Sequence, residues 1–208
     1  MDHRERLKRL LKERSLKRGD FTLASGARSS YYVDARRTTM SAEGQFLTGR
    51  VALDALWAEG LWPNWVGGLT MGADPVAYSL ARASWESGHP IDAFSVRKQA
   101  KEHGTGQLIE GGFEPEGAQV VIVEDSMTTG SSALQAISAV EAAGGTVLAV
   151  LTVVDREEGG RERLEEAGHK LVSLYTATEL LAEDAPEGDE GSEADSDEGV
   201  ASGEAVQG

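Results

Sequence analysis

The chain has 208 residues, of which 40% are hydrophobic, and a formal net charge of −15 at pH 7. This length and apolar content suffice for one well-packed domain, and no apolar run approaches the roughly 18 residues that span a bilayer. Because it has no cysteine and no apolar signal stretch at the N-terminus, disulfides and thiolate metal sites are excluded and we expect a cytoplasmic protein without a membrane partner.

The first predicted element is a basic helix within residues 1–18. Eight basic and three acidic residues fall there, and Leu7, Leu10, Leu11 and Leu16 are spaced as one helical face. Leucines at this spacing under a solvated basic face are typical of a helix that docks on a protein core. A nucleic-acid surface is the alternative; we favour docking and predict no nucleic-acid partner.

The middle of the chain alternates helix and strand patterns. In chain order they predict a helix over 45–57, a strand over 65–69, a helix over 74–87, and strands over 92–96 and 120–123, then a helix over 133–143, a strand over 147–154, a helix over 160–167 and a strand over 170–175. Such alternation predicts an α/β fold, with a parallel sheet flanked by helices. Ligands bind beyond the carboxyl ends of such strands, so the segments that follow strands are the candidate site.

The strand over 65–69 is followed by T-M-G-A-D-P. Glycine in this tight loop permits close approach of the backbone to a ligand, which makes Thr70, Met71 and Gly72 candidates for ligand binding. A plain turn would have the same pattern, so the signal is weak by itself.

Four potential cations follow the strand over 92–96. Arg97, Lys98, Lys101 and His103 fall within seven residues, ahead of a glycine-rich run. A charged run is commonly only a solvated surface. These cations stand at a strand end of an acidic protein, however, and the glycines would let the segment open and close. We therefore predict a lid that brings positive charge to a polyphosphate.

Residues 120–132, V-V-I-V-E-D-S-M-T-T-G-S-S, say most about function. An apolar strand leads to Glu124 and Asp125, and then to a small, hydroxyl-rich loop around Gly130 that opens a helix. Backbone N–H groups at a helix start can hold an anion, and adjacent carboxylates can accept hydrogen bonds from vicinal hydroxyls. The pattern therefore predicts a site for a ribose 5-phosphate.

A plain strand, turn and capped helix is the alternative for these residues. Capping explains one hydroxyl, but not the acidic pair together with Thr128, Thr129, Ser131 and Ser132. The chain contains neither G-x-x-x-x-G-K-[ST] nor a G-x-G-x-x-G run that opens a helix after a strand. The two commonest other nucleotide motifs are thus missing.

A charged pair, Asp155 and Arg156, ends the strand over 147–154. Its position at the ligand edge of the sheet makes it a candidate for substrate binding. Taken alone, the pair would favour a surface salt bridge with the following Glu157 and Glu158.

The C-terminal residues 183–208 contain ten acidic residues and no basic one. They also lack aromatic residues and apolar periodicity, so we predict a disordered acidic tail. A solvating role or salt adaptation fits this composition better than a specific partner site.

Deleting residues 183–208 is expected to leave activity nearly unchanged in moderate salt and the melting temperature within about 2 °C, because a tail of this composition buries no apolar surface. Thermal unfolding of the full-length and shortened chains, side by side, checks this. A melting temperature lower by several degrees would mean that the tail docks on the folded part.

Residues 120–132 resemble, from end to end, the signature with which type I phosphoribosyltransferases bind phosphoribosyl pyrophosphate (PRPP). F-T-L-A-S-G-A-R-S-S-Y-Y-V-D at 21–34, R-K-Q-A-K-E-H-G-T-G at 97–106 and V-D-R-E-E-G at 154–159 are similar to segments of the orotate phosphoribosyltransferases. The similarity runs from about residue 5 to residue 182. It implies a phosphoribosyltransferase domain over 1–182, in which residues 1–40 form the N-terminal helix and a small hood, with the tail outside.

The resemblance also implies roles for individual residues. Tyr31, Tyr32, Thr128 and Arg156 would bind orotate, and 70–72 would be the pyrophosphate loop. The residues implied to bind PRPP are Arg97, Lys98, Lys101, His103, Glu124, Asp125, Ser126, Met127, Thr128, Thr129, Gly130, Ser131 and Ser132. Those implied in catalysis are Lys101, His103 and Asp125.

The implied reaction is the Mg²⁺-dependent transfer of ribose 5-phosphate from PRPP to orotate, which gives orotidine 5'-monophosphate and pyrophosphate in pyrimidine biosynthesis. Mg²⁺ would be bound mainly through the substrate, without a dedicated protein site. The implied assembly is a homodimer whose lid reaches into the partner's site. Some family members carry lysines where this chain has Ala24 and Gly72, so this chain would depend more on backbone amides, Mg²⁺ and the lid to bind pyrophosphate.

Two other functions remain open. A purine phosphoribosyltransferase shares the 13-residue signature but does not need the basic lid or the Tyr-Tyr segment. A non-catalytic PRPP-sensing regulator on the same fold could use the basic N-terminal helix on nucleic acid, in which case binding would depend on salt.

Overall fold

The computed structural model describes residues 2–22, 28–99 and 108–182. Lys101 and His103 of the predicted lid, Ala24 and the acidic tail lie outside these ranges. The elements in chain order are α1 (His3–Arg14), β1 (Leu16–Thr22), β2 (Arg28–Val33), α2 (Arg36–Thr39), α3 (Ala42–Ala58), β3 (Trp65–Leu69), α4 (Ala73–Glu86), β4 (Asp92–Val96), β5 (Ile109–Glu110), β6 (Gln119–Met127), α5 (Ser131–Ala143), β7 (Thr146–Asp155), α6 (Gly160–Glu166), β8 (Leu171–Thr176) and α7 (Ala177–Leu181). None of the helices in these ranges is long and apolar enough to cross a membrane.

A six-stranded sheet forms the centre, with the strand order β5-β4-β3-β6-β7-β8. The neighbours from β4 to β8 are parallel, which confirms the predicted α/β fold. The edge strand β5 corrects one detail, because it runs antiparallel to β4. A strand of two residues has no periodicity by which the sequence could reveal it.

The central strand β6 presents its side chains to two hydrophobic cores. Val121 and Val123 pack in a core with α1, α3 and α4, whereas Val120 and Ile122 pack in a core with α5 and α6. All four are at most 1% exposed. Burial on both faces explains why this strand reads as a continuous run of β-branched residues.

The strand β6 also continues four residues beyond the predicted end at Val123. Ser126 pairs with Val154 and Met127 with Asp155 of β7, so the acidic pair lies on the strand rather than in a loop. The backbone there is fixed by the sheet ladder, which holds the two carboxylates in place at its carboxyl end.

The basic helix α1 docks on the core as predicted, with Leu7, Leu10 and Leu11 at most 1% exposed. Leu16 was wrongly assigned to the same helical face. The helix ends at Arg14, and Leu16 begins β1, where it pairs with Val33 of β2. β1 and β2 pair antiparallel in a separate two-stranded sheet, within the range 1–40 where a hood is predicted.

Helix boundaries differ from the predictions where a cap is present. α3 begins at Ala42, three residues before its predicted start, because the Ser41 hydroxyl accepts a hydrogen bond from Gly44 N at 3.1 Å. The short helix α7 was not predicted, although Thr176 and Glu179 form a capping box at its start. α2, which has four residues, was also missed.

Candidate functional site

A cavity of about 380 Å³ lies at the carboxyl ends of β3 and β6, under the hood. It gathers charged and hydroxyl groups from segments that are far apart in sequence. Its lining residues are Tyr32, Val33, Asp34, Ala35, Arg36, Leu69, Thr70, Met71, Gly72, Ala73, Lys98, Glu124, Asp125, Ser126, Thr128, Ser132 and Arg156. Ligands of α/β sheets bind at this edge, so we take this cavity as the candidate site.

Two other cavities occur among the described residues. One, of about 560 Å³, lies between β5 and the end of α5, and Glu110 is its only charged lining residue. The other, of about 100 Å³, lies between α3 and α4. Neither of these two cavities lies at a strand end that carries predicted site residues. We therefore select the cavity of about 380 Å³ by its lining residues and its position, although the cavity beside β5 is larger.

Both acids are buried, which disfavours their charged forms, but different neighbours oppose this effect in each. Burial raises the pKa of Glu124 to about 7, the neighbouring Asp125 charge adds to the rise, and a hydrogen bond from Ser132 opposes it. Burial also raises the pKa of Asp125. A hydrogen bond from the Ser126 N–H and the positive charge of Arg36 lower it in part. Among the described residues, Glu124 Oε2 is buried with no hydrogen-bond partner, so a ligand hydroxyl would satisfy it.

Glu124→Gln is expected to raise the melting temperature at pH 8 but not at pH 4.5. The folded-state pKa of Glu124 is about 7, above its ordinary value of 4.5. Folded protein therefore binds more protons than unfolded protein between these pH values, and wild-type stability falls as the pH rises through that window. The amide removes the buried charge that causes this loss. Thermal unfolding of both proteins at the two pH values measures it; an equal effect at both would contradict the assignment.

The loop between β6 and α5, which is predicted to bind a phosphate, turns at a glycine and packs against α6. Gly130 precedes α5 with a φ of 72°, in the left-handed region that favours glycine. A Cβ on Gly160 of α6 would lie 2.5 Å from the Thr128 carbonyl oxygen, so the start of α6 packs directly on this loop. Met127, which precedes the loop, is fully buried; a ligand contact by Met127 would therefore use its backbone.

The predicted pyrophosphate loop follows β3 and is braced by Asp74. Thr70 Oγ1 donates to Asp74 Oδ2, and Ser95 Oγ donates to Asp74 Oδ1, both at 2.7 Å. A Cβ on Gly72 would lie 2.3 Å from Asp125 Oδ1. The lysine that some family members carry at this position would therefore have to displace Asp125, and glycine brings the loop backbone against the acidic pair.

The described part of the predicted lid is its two ends. Arg97 pairs with Glu110, with Nη1 at 3.3 Å from Oε1, and does not line the cavity. Lys98 does line it. Lys101 and His103 lie outside the described residues, so their roles stay predictions.

Arg156 reaches the cavity although it is only 7% exposed. Its Nη2 lies 2.7 Å from Glu158 Oε1, yet neither Nε nor Nη2 has a partner in hydrogen-bond geometry among the described residues. The Tyr31 ring lies 5.6 Å from the guanidinium carbon, and the Tyr31 hydroxyl donates to the Arg156 carbonyl at 3.3 Å. Glu158 is exposed while Arg156 is buried, so the ion pair that the sequence suggested is present, but it does not by itself explain why the guanidinium is buried at the cavity.

The turn that carries Arg156 is fixed on two sides. Asp155, which is 1% exposed, accepts hydrogen bonds from Glu157 N at 2.9 Å and from Arg161 Nη2 at 3.1 Å. Glu157 has a φ of 57°, in the left-handed region, and its Oε2 accepts from both the N–H and the hydroxyl of Thr178. These contacts hold the guanidinium before a ligand arrives, which reduces the cost of ordering it.

Two charged cavity residues, Asp34 and Arg36, were assigned no role from the sequence. Asp34 follows β2, and Arg36 Nε donates to Asp34 Oδ1 at 2.9 Å. The charge of Arg36 also lowers the pKa of Asp125, so Arg36 acts on the acidic pair. In the sequence, the only sign of this role was the position of Arg36 just after the Tyr-Tyr segment, because Arg36 and Asp125 are far apart along the chain and interact only electrostatically.

Comparison with known proteins agrees with this geometry. Residues 63–170 match the family model of the phosphoribosyl transferase domain. The orotate phosphoribosyltransferase of Aquifex aeolicus is 47% identical over 184 residues, which are 87% of this chain and 99% of that protein. That of Bradyrhizobium diazoefficiens is 46% identical over 181 residues, 86% of this chain and 96% of that protein.

Solved structures give the same result. The orotate phosphoribosyltransferase of Mycobacterium tuberculosis in complex with Fe(III) dicitrate superposes with a TM-score of 0.77 at 42% identity, and covers 87% of this chain and 100% of that one. The same enzyme in complex with PRPP has a TM-score of 0.73 at 41% identity, and covers 86% of this chain and 99% of that one. By sequence and by fold, this chain belongs to the orotate phosphoribosyltransferase family.

Proposed function

We propose that this chain transfers the ribose 5-phosphate group of PRPP to orotate and releases pyrophosphate. The observation that carries the proposal is that one cavity is lined by the acidic pair, by Thr128 and Ser132 of the hydroxyl-rich loop, and by a buried arginine whose Nε has no hydrogen-bond partner among the described residues. An arginine can pair with a carboxylate through two parallel hydrogen bonds, and orotate carries a carboxylate where adenine, guanine and hypoxanthine have none.

In the proposed reaction, N1 of orotate forms a bond to the anomeric carbon as the bond to the pyrophosphate oxygen breaks, and the proton that N1 loses passes to the departing pyrophosphate or to solvent. No protein nucleophile is required. Arg156 orients orotate, Glu124 and Asp125 accept hydrogen bonds from the ribose hydroxyls, and the 128–132 loop binds the 5-phosphate. These contacts align the two substrates, and closure over the cavity would exclude water, which otherwise hydrolyses PRPP.

We also propose that Mg²⁺ accompanies PRPP. The ion would neutralise part of the pyrophosphate charge, and it binds hard oxygen ligands, largely those of substrate and water. Glu124 and Asp125 are the oxygen donors in the cavity that fit such a hydrated ion or the hydroxyls beside it. Within the described ranges no three His, Asp or Glu side chains cluster as a dedicated metal site.

The active form is proposed to be a cytoplasmic homodimer with a lid shared between subunits. Several large apolar side chains are exposed among the described residues, and four of them belong to α3, α4 or the segments just before these helices: Met40, Phe46, Met71 and Tyr78. Met71 also lines the cavity, so this surface adjoins the site. A second copy that covered it could present Lys101 and His103 to the neighbour's pyrophosphate.

A panel of bases tests the proposed function. Pyrophosphate release from PRPP and Mg²⁺ is measured with orotate, adenine, guanine or hypoxanthine, and release is expected with orotate alone. Turnover of a purine without turnover of orotate would indicate a purine phosphoribosyltransferase. A regulator would release no pyrophosphate with any base and would bind nucleic acid in a salt-dependent gel shift.

A further inference from the structure

The loop assigned to the 5-phosphate has no charge of its own. Its residues Thr128–Ser132 are threonine, glycine and serine, whereas a phosphate monoester carries close to two negative charges at pH 7. Backbone N–H groups and the dipole of α5 supply only partial positive charge. A nearby cation would therefore stabilise a phosphate group bound in this loop.

Arg163 of α6 contacts this loop directly. Its Nη1 donates to Ser131 Oγ at 2.8 Å and to the Thr129 carbonyl at 3.3 Å. No other arginine or lysine side chain is recorded in a hydrogen bond or ion pair with the loop among the described residues. The contact is built into the fold, because the next residue, Leu164, is fully buried and the start of α6 packs on Thr128.

The contact also fixes how the loop hydroxyls are used. A guanidinium can only donate, so Ser131 Oγ accepts from Arg163. Ser131 Oγ also lies 3.0 Å from Thr129 Oγ1, and it can accept a second hydrogen bond from that hydroxyl. With Thr129 as the donor of that hydrogen bond, the proton of Ser131 is left to donate to an anion in the loop.

We propose that Arg163 is a positioning residue for the 5-phosphate of PRPP, which orients Ser131 and adds positive charge beside the loop. The inference rests on the proposed function, since that function assigns the loop to the 5-phosphate. It concerns a residue outside the 13-residue signature, on a helix that follows a different strand. Arg163 acts through Ser131 and the electrostatic field, and it does not touch the reacting carbon.

Binding of ribose 5-phosphate, measured by calorimetry on the full chain, tests this without need of turnover. Arg163→Gln is expected to raise the Kd about three- to fivefold at pH 7.5, the range for an exposed charge. The ratio of variant to wild-type Kd should shrink at pH 5.5, because the second ionisation of the phosphate has a pKa of about 6, and also in high salt. Arg163→Lys, which retains the charge, should lie closer to wild type.

The matched control is Arg9→Gln, the same substitution at an exposed arginine of α1, which should leave the Kd unchanged. Melting temperatures of all variants show whether each is folded. An Arg163→Gln protein with wild-type Kd at pH 7.5, or with a Kd ratio independent of pH and salt, would overturn the proposal. If the wild-type chain does not turn over orotate but Arg163→Gln still weakens ribose 5-phosphate binding as described, the proposed function fails and the role of Arg163 stands.

Discussion

Replacing Arg156 by lysine is expected to raise the KM for orotate at least about tenfold, or on the order of 1.4 kcal/mol, with little change in the KM for PRPP. Lysine retains the charge but cannot form the two parallel hydrogen bonds that a carboxylate accepts from a guanidinium. The guanidinium of Arg156 is buried and its Nε has no hydrogen-bond partner among the described residues, so this geometry matters more than it would at the surface. Arg156→Ala should raise the KM for orotate further, because it leaves the orotate carboxylate without a cation to pair with.

Steady-state kinetics with each substrate varied in turn measures the effect, and Arg9→Lys on α1 is the matched control for an exposed arginine. Equal increases in the two KM values would mean that Arg156 supports the whole site and does not recognise orotate. Glu158, which pairs with Arg156 in the described structure, would then be the next position to vary.

Mixing two inactive variants is expected to restore activity to roughly a quarter of wild type. Lys101→Ala removes the lid cation that we propose serves the neighbouring site, and Arg156→Ala damages the site of its own subunit. Random exchange at equal amounts makes about half the dimers mixed, and each mixed dimer has one site with both defects and one with neither. Since half the dimers are mixed and half the sites in each mixed dimer are intact, about a quarter of all sites are active, if the sites act independently.

Native mass spectrometry must accompany this experiment, because subunits that do not exchange cannot complement. With mixed dimers demonstrated, absence of activity would mean that the lid serves its own subunit. Each variant mixed with itself is the control for recovery that does not depend on complementation.

Local patterns predicted the sheet and most of the helices that cover it. Val120–Val123 is apolar at every position because both faces of β6 are buried, and the leucines of α1 follow one helical face. These signals need only the residues within one element. The order of the elements then placed the segments after β3, β4, β6 and β7 at one edge, and the structure brings residues of these segments into a single cavity.

The parts that were missed depend on contacts between distant segments. β6 continues through Ser126 because β7 provides pairing partners, which no local pattern reveals. Arg36 influences Asp125, and Arg163 reaches the loop at Ser131, only after the chain has folded. Surface arginines of this kind are common in any acidic, soluble chain, so their type and spacing do not single them out.

The raised pKa of Glu124 is likewise a property of the folded site. Its sequence neighbours show a charged pair, which would normally be solvated at a strand end. The structure buries Glu124 beside Asp125, and this environment raises the pKa to about 7. Near neutral pH the acidic pair therefore does not carry two full negative charges, which lowers its repulsion of the pyrophosphate group.

The absorbance of orotate tests the central claim most directly. The protein is mixed with orotate, PRPP and Mg²⁺, and the same mixture is prepared with PRPP or Mg²⁺ omitted. The account predicts that orotate absorbance falls only in the complete mixture, with one pyrophosphate released for each orotate consumed. Unchanged absorbance in the complete mixture, with protein that is folded and binds PRPP, would contradict it.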